Sequence, residues 1–133
     1  MKDEIQKITT AFGNFVLRAN GIVYYEKADD LIMDEKIALQ VLEIIQQLDG
    51  SGSARVIIIQ GQPSSYTFQA QMTLFSAKGF EKVGLVVANS IQREVGELLI
   101  KVAGAYKAAF ELEVFEFVEE AEAWLGADFP QLN

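Results

Sequence analysis

Hydrophobic positions along this chain follow two different periods, and the periods alternate in blocks. Phe12 to Arg18 reads as a strand. Ala19-Asn20-Gly21 comes next, and Asn-Gly is the strongest short hairpin signal because both residues tolerate positive φ. Ile22-Val23-Tyr24-Tyr25-Glu26, rich in β-branched and aromatic side chains, is the returning strand. From Asp34 to Leu48 the period changes. Ile37, Ala38, Val41, Leu42, Ile45 and Leu48 recur at three- and four-residue spacing and make one apolar stripe of a helix. Gly50 suits a left-handed cap behind it. Arg55 to Gln60 contains four consecutive β-branched residues without alternation, the pattern of a central strand covered on both faces.

The second half repeats the alternation. Pro63-Ser64-Ser65 predicts the start of a helix running to about Ala77, with Phe68, Met72 and Phe75 facing inward. Lys82 to Ala88 is another buried strand. Asn89-Ser90 caps a helix whose stripe is Ile91, Val95, Leu98, Leu99, Val102 and Tyr106. Glu111 to Phe117 is the last strand, and its glutamates suit a sheet edge. Val118 to Leu125 is a final helix that buries Ala121, Trp124 and Leu125.

The expected order is β-β-α-β-α-β-α-β-α. Strands separated by helices need crossovers, so the expectation is an α/β fold with one mixed, mostly parallel five-stranded sheet. No linker or repeat divides the chain, which reads as one domain over residues 1–133 with a core of about 12–125. Sites in such folds lie outside the carboxyl ends of the strands. That edge is expected to carry Gly61 to Tyr66 and Asn89 to Arg93, with Gln62, Tyr66, Asn89, Ser90 and Arg93 as the interaction residues.

Composition narrows the chemistry. The chain has no histidine and no cysteine. It therefore lacks the usual neutral-pH base, the commonest metal ligand and any thiolate nucleophile. The expectation is a protein without catalytic residues, metal or cofactor. The formal net charge is −8, which disfavours nucleic acid and anionic membranes as partners. No apolar run is long enough to cross a bilayer, and the charged N-terminus does not read as a signal peptide, so a cytoplasmic location is expected. No Lys or Arg follows Lys107, whereas Glu111, Glu113, Glu116, Glu119, Glu120, Glu122 and Asp128 do. This is either a solvated face or a docking surface for a basic partner.

Several residues admit two readings. Ser64 and Ser65 are helix caps or a phosphorylation site, since a helix N-terminus offers free amides and a favourable dipole to phosphate. Arg93 either binds an anion at the strand-end edge or pairs with Glu94 or Glu97. Tyr24, Tyr25 and Tyr66 form an exposed aromatic patch or are partly buried. The carboxylate pairs Asp29-Asp30 and Glu119-Glu120 point apart and sit beside expected helix starts. Gly61 stands alone in its loop, so no phosphate-cradling glycine motif is present.

The order of elements resembles the STAS domains, including bacterial anti-sigma-factor antagonists of the SpoIIAA kind, and related SEC14-like proteins. The likeness runs from about Phe12 to Leu125. It is carried by a hydrophobic strand ending Ala88-Asn89-Ser90, by Ile91-Gln92-Arg93-Glu94-Val95-Gly96 after it, and by the closing Ala121-Glu122-Ala123-Trp124-Leu125. In the antagonists a serine after the central strand is phosphorylated by a partner kinase, and the matching place here holds Pro63-Ser64-Ser65. The resemblance implies a non-enzymatic regulatory domain that binds a protein partner. Its SEC14-like side implies a different function, in which Phe68, Met72, Phe75 and Phe80 line a pocket for a small apolar or anionic ligand. A homodimer is expected as well, from the incompletely covered edge strand and the aromatic hairpin as candidate interfaces.

Overall fold

The computed structural model describes residues 3–61 and 64–126. Its main sheet has six strands rather than the five expected. The additional strand is β1 (Glu4–Thr10), which pairs antiparallel with β2 (Gly13–Arg18). Its sequence, Glu-Ile-Gln-Lys-Ile-Thr-Thr, is polar on both faces because it lies at the sheet edge, where only Ile8 packs on the core. A second antiparallel pairing joins β2 to β3 (Ile22–Lys27) through the expected Asn20-Gly21 turn.

From β3 onward the pairing is parallel. β5 (Ala54–Ile59) lies between β3 and β7 (Phe80–Val86), and β8 (Glu111–Phe115) closes the far edge. The order across the sheet is β1-β2-β3-β5-β7-β8. The unalternated run in β5 thus sits at the centre, with Val56 in one core cluster and Ile57 in another. The α/β class and mixed sheet agree with the sequence pattern. A small parallel pair, β4 (Leu31–Met33) with β6 (Ser64–Tyr66), lies apart from the main sheet and was not expected.

Among the described residues, four helices cover the sheet. α1 (Glu35–Leu48) starts where Asp34 Oδ1 accepts the Ile37 amide at 2.8 Å, and it buries Ala38, Val41, Ile45 and Leu48. α2 (Phe68–Phe75) and α3 (Ser90–Ala105) pack on the same face, while α4 (Val118–Leu125) packs on the other, against Ile22, Tyr24, Ile57 and Val86. Basic side chains secure the carbonyl end of α4. Arg55 donates to Gly126 O at 2.6 Å and Lys82 to Trp124 O at 3.2 Å, which is the favourable sign for a helix C-terminus.

Two helices depart from their expected stripes. α2 begins at Phe68, not at Pro63-Ser64-Ser65, and Thr67 Oγ1 is its cap, accepting from the Ala70 amide at 3.1 Å. Phe75 is buried as expected, but Phe68 (59% exposed) and Met72 (42%) face outward. In α3 the buried row is Gln92, Gly96, Leu99 and Ala103, whereas Ile91, Leu98 and Tyr106 are exposed. Gly96 turns the helix this way. A Cβ there would stand 2.8 Å from Val114 Cγ2, so the bare backbone is what lets α3 lie close to β8. The last strand also ends sooner than expected: Phe117 is exposed at the N-cap position of α4.

Candidate functional site at the carboxyl ends of the strands

β3, β5, β7 and β8 all end on one edge, which the loops leaving β5 and β7 form. Gln92 connects these two loops. Its side chain is only 6% exposed; Oε1 accepts the Ala88 amide at 2.6 Å, and Nε2 donates to Gly61 O at 3.1 Å. Gly61 is required at its place, because a Cβ would stand 2.4 Å from Ala28 O. The β3 and β5 exits are therefore pressed together, and the β5 and β7 exits are joined by an amide side chain.

Beside this clamp lies a buried polar cluster. Lys27 is 4% exposed, and its Nζ donates to Gln60 Oε1 and to the Tyr66 hydroxyl, each at 2.8 Å. Tyr66 in turn donates to Gln60 Oε1 at 3.2 Å. Nζ also lies 4.0 Å from the centre of the Tyr66 ring. Burial disfavours the ammonium form and brings Lys27 from its ordinary 10.5 down to about 7. Burial acts the other way on Tyr66, pushing its phenol up to about 12. The cluster therefore holds an amine that changes charge near neutral pH and a hydroxyl that stays protonated.

The outer part of the edge is a cleft lined by Val87, Ala88, Asn89, Ser90, Arg93, Glu116 and Phe117. Asn89, not Ser90, caps α3: its Oδ1 accepts the Gln92 amide at 2.9 Å. Arg93 crosses the cleft to Glu116 at 3.2 Å and touches Glu97 at 3.9 Å, so its partners are these two and not Glu94. Phe117 (59% exposed) stands open beside this ion pair, whereas Ile91 (73% exposed) lies on the other flank of α3.

Of the residues singled out from the sequence, Asn89, Ser90 and Arg93 share this cleft. Tyr66 belongs instead to the Lys27 cluster. Gln62 lies outside the described residues. Ser64 and Ser65 stand on β6, and Ser65 is exposed there. Neither begins a helix, so the amides and dipole invoked for a phosphate at that place belong to Thr67 and the residues after it. Tyr24 and Tyr25 are buried and form no surface patch. The Tyr24 hydroxyl donates to Glu122 and is pushed up to about 12, chiefly by burial.

Lys27, Gln60 and Gln92 were not picked out from the sequence as polar residues of the interior. A signal for two of them existed. Lys27 has the strand parity of Val23 and Tyr25, and Gln60 has that of Val56 and Ile58, so both point toward the covered face. Among the described residues no group of three or more acidic side chains gathers to hold a metal, and no helix is long and apolar enough to cross a membrane.

No protein-family model matches the chain. No curated protein matches it, and no solved structure does.

Proposed function

We propose that this chain is a non-catalytic, STAS-like regulatory domain that works by binding another protein at the carboxyl-end edge. The observation that carries the reading is the pairing of a rigid base with an apolar-flanked ionic centre. Gln92, Gly61 and the Lys27 cluster hold the strand-end loops in place from beneath. Above them, exposed Phe117 accompanies the Arg93–Glu116 pair. Aromatic and arginine side chains on a preorganised surface are the residues that dominate binding energy at interfaces. A homodimer is part of the proposal.

Photo-crosslinking in the cells of origin tests it. A photoreactive residue replacing Ser90 or Phe117 is expected to trap one discrete protein. The same residue replacing Lys36, exposed on α1, is expected to trap none, and Arg93→Glu is expected to abolish the products from position 117. Equal products from positions 36 and 117 would sink the reading.

The structure also carries an observation for the small-ligand reading. An apolar cavity of about 60 Å³ lies between the sheet and α1, α2 and α3, and Phe75 and Phe80 line it. Phe68 and Met72 do not line it. Pockets for ordinary metabolites are roughly 300–1,000 Å³, so this space takes a few heavy atoms and not a lipid chain. Protein binding therefore ranks first. Native mass spectrometry of the protein from its own cells separates the two, because a ligand of this size adds less than an ordinary metabolite would.

A further inference from the structure

The two edges of the main sheet are built differently. β1 carries the usual protections against further pairing: its register slips between Glu4 and Gln6, and Lys7 lies in the strand. β8 pairs with β7 in unbroken register over all five residues and contains no lysine or proline. Bonding groups alternate along a strand. Phe115 turns its carbonyl to β7, where it accepts the Val87 amide at 2.9 Å. Leu112 and Val114 therefore turn their backbone groups outward. The Val114 amide is met there by the carboxylate of its own neighbour, Glu113, at 3.3 Å. A groove lined by Ile100, Ala103, Phe110, Leu112, the two glutamates and, at one end, Lys107 runs along this edge.

We infer that β8 is a docking edge for an extended, basic segment of another protein, which adds as a seventh strand. Charge selects this occupant, since the two carboxylates outnumber the single ammonium of Lys107 in the groove. Glu111 and Glu113 project from one face of the edge and are exposed, and the chain after Lys107 has seven acidic residues and no basic one. A second copy of β8 would lie antiparallel about a two-fold axis, set glutamate against glutamate, and be repelled. A strand with Lys or Arg at alternate positions places a cation opposite each carboxylate. Apolar residues between them face Ile100 and Leu112, and the outward groups of Leu112 and Val114 complete a ladder. Glu113 then exchanges its local amide for a partner cation. The inference does not rest on the Arg93 cleft, which lies at a different border of the sheet.

Peptide binding to the full chain tests it. The probes are a seven-residue peptide of alternating lysine and valine, the same peptide with glutamate for lysine, and the lysine peptide N-methylated at alternate residues. The lysine peptide is expected to bind and to slow hydrogen exchange at the Leu112 and Val114 amides. The glutamate and N-methylated peptides are expected not to bind. The double variant Glu111→Lys with Glu113→Lys is expected to weaken the lysine peptide about tenfold or more and to admit the glutamate peptide. Both sites are exposed, so the variant keeps its fold. Equal binding of the N-methylated peptide, unchanged exchange at the two amides, or no binding of the lysine peptide overturns the inference. Association of the chain with itself through β8, seen as protection of the same amides at rising concentration without peptide, overturns it as well.

Discussion

Replacing Lys27 by methionine removes an amine that burial brings down to about 7. The unfolded chain holds its proton up to the ordinary value of 10.5, whereas the folded chain loses it near 7. Below pH 7 both states are protonated, and the cost of burying the charge is present in full. Between pH 7 and 10.5 the unfolded state binds one more proton, so stability rises with pH by up to about 1.4 kcal/mol per pH unit. The wild type is expected to gain about 3 kcal/mol between pH 7 and 9.5 from this group alone. Lys27→Met is expected to lack that gain. At pH 6 methionine removes a penalty of about 5 kcal/mol. It also takes a donor from Gln60 and Tyr66, which costs about 1–3 kcal/mol. The variant is therefore the more stable at pH 6, and the two proteins converge toward pH 9.5. Urea unfolding at constant ionic strength, at half-unit steps from pH 6 to 9.5, measures both curves. The range stops there because Tyr24 and Tyr66, raised to about 12, make stability fall above pH 10. Parallel curves for the two proteins between pH 7 and 9.5 would refute the reasoning, since Lys27 would then titrate alike folded and unfolded.

Other expectations concern the clamp and the caps. Gly61→Ala is expected to cost about 2–3 kcal/mol in denaturant unfolding, because its Cβ meets the Ala28 carbonyl; an unchanged midpoint would show that the strand exits separate freely. Gln92→Leu leaves the Ala88 amide and the Gly61 carbonyl without their partner, at about 2 kcal/mol or more, and is expected to speed hydrogen exchange at Ala88. Thr67→Ala is expected to cost about 1 kcal/mol, whereas Ser65→Ala changes stability by less than about 0.5 kcal/mol; the reverse order would place the helix cap at the serine.

Much of the architecture was legible in the chain because periodicity reports burial directly. The run Val56 to Ile59 can be satisfied only by apolar cover on both faces, and β5 is the strand that has it. Asn20-Gly21 specifies its turn through backbone conformation alone, with Gly21 at φ 82°. Asp34 caps α1 through a bond three residues away. Each of these depends on interactions within one element, or on how many neighbours a residue has and not on which ones.

What tertiary structure decided depends on partners far apart in sequence. β1 carries almost no hydrophobic pattern and exists because β2 offers it an edge. α3 is rotated away from its apparent stripe by Gly96 against Val114, eighteen positions later, and by the two backbone groups that draw Gln92 inward. Lys27 looks like a solvated charge at the end of a strand. Only the arrival of Gln60 and Tyr66, from 33 and 39 residues away, makes it a buried amine with a shifted protonation. Local pattern determines which faces are apolar. Which polar groups those faces enclose depends on how the elements meet, because a buried polar group survives only where other segments supply its hydrogen bonds.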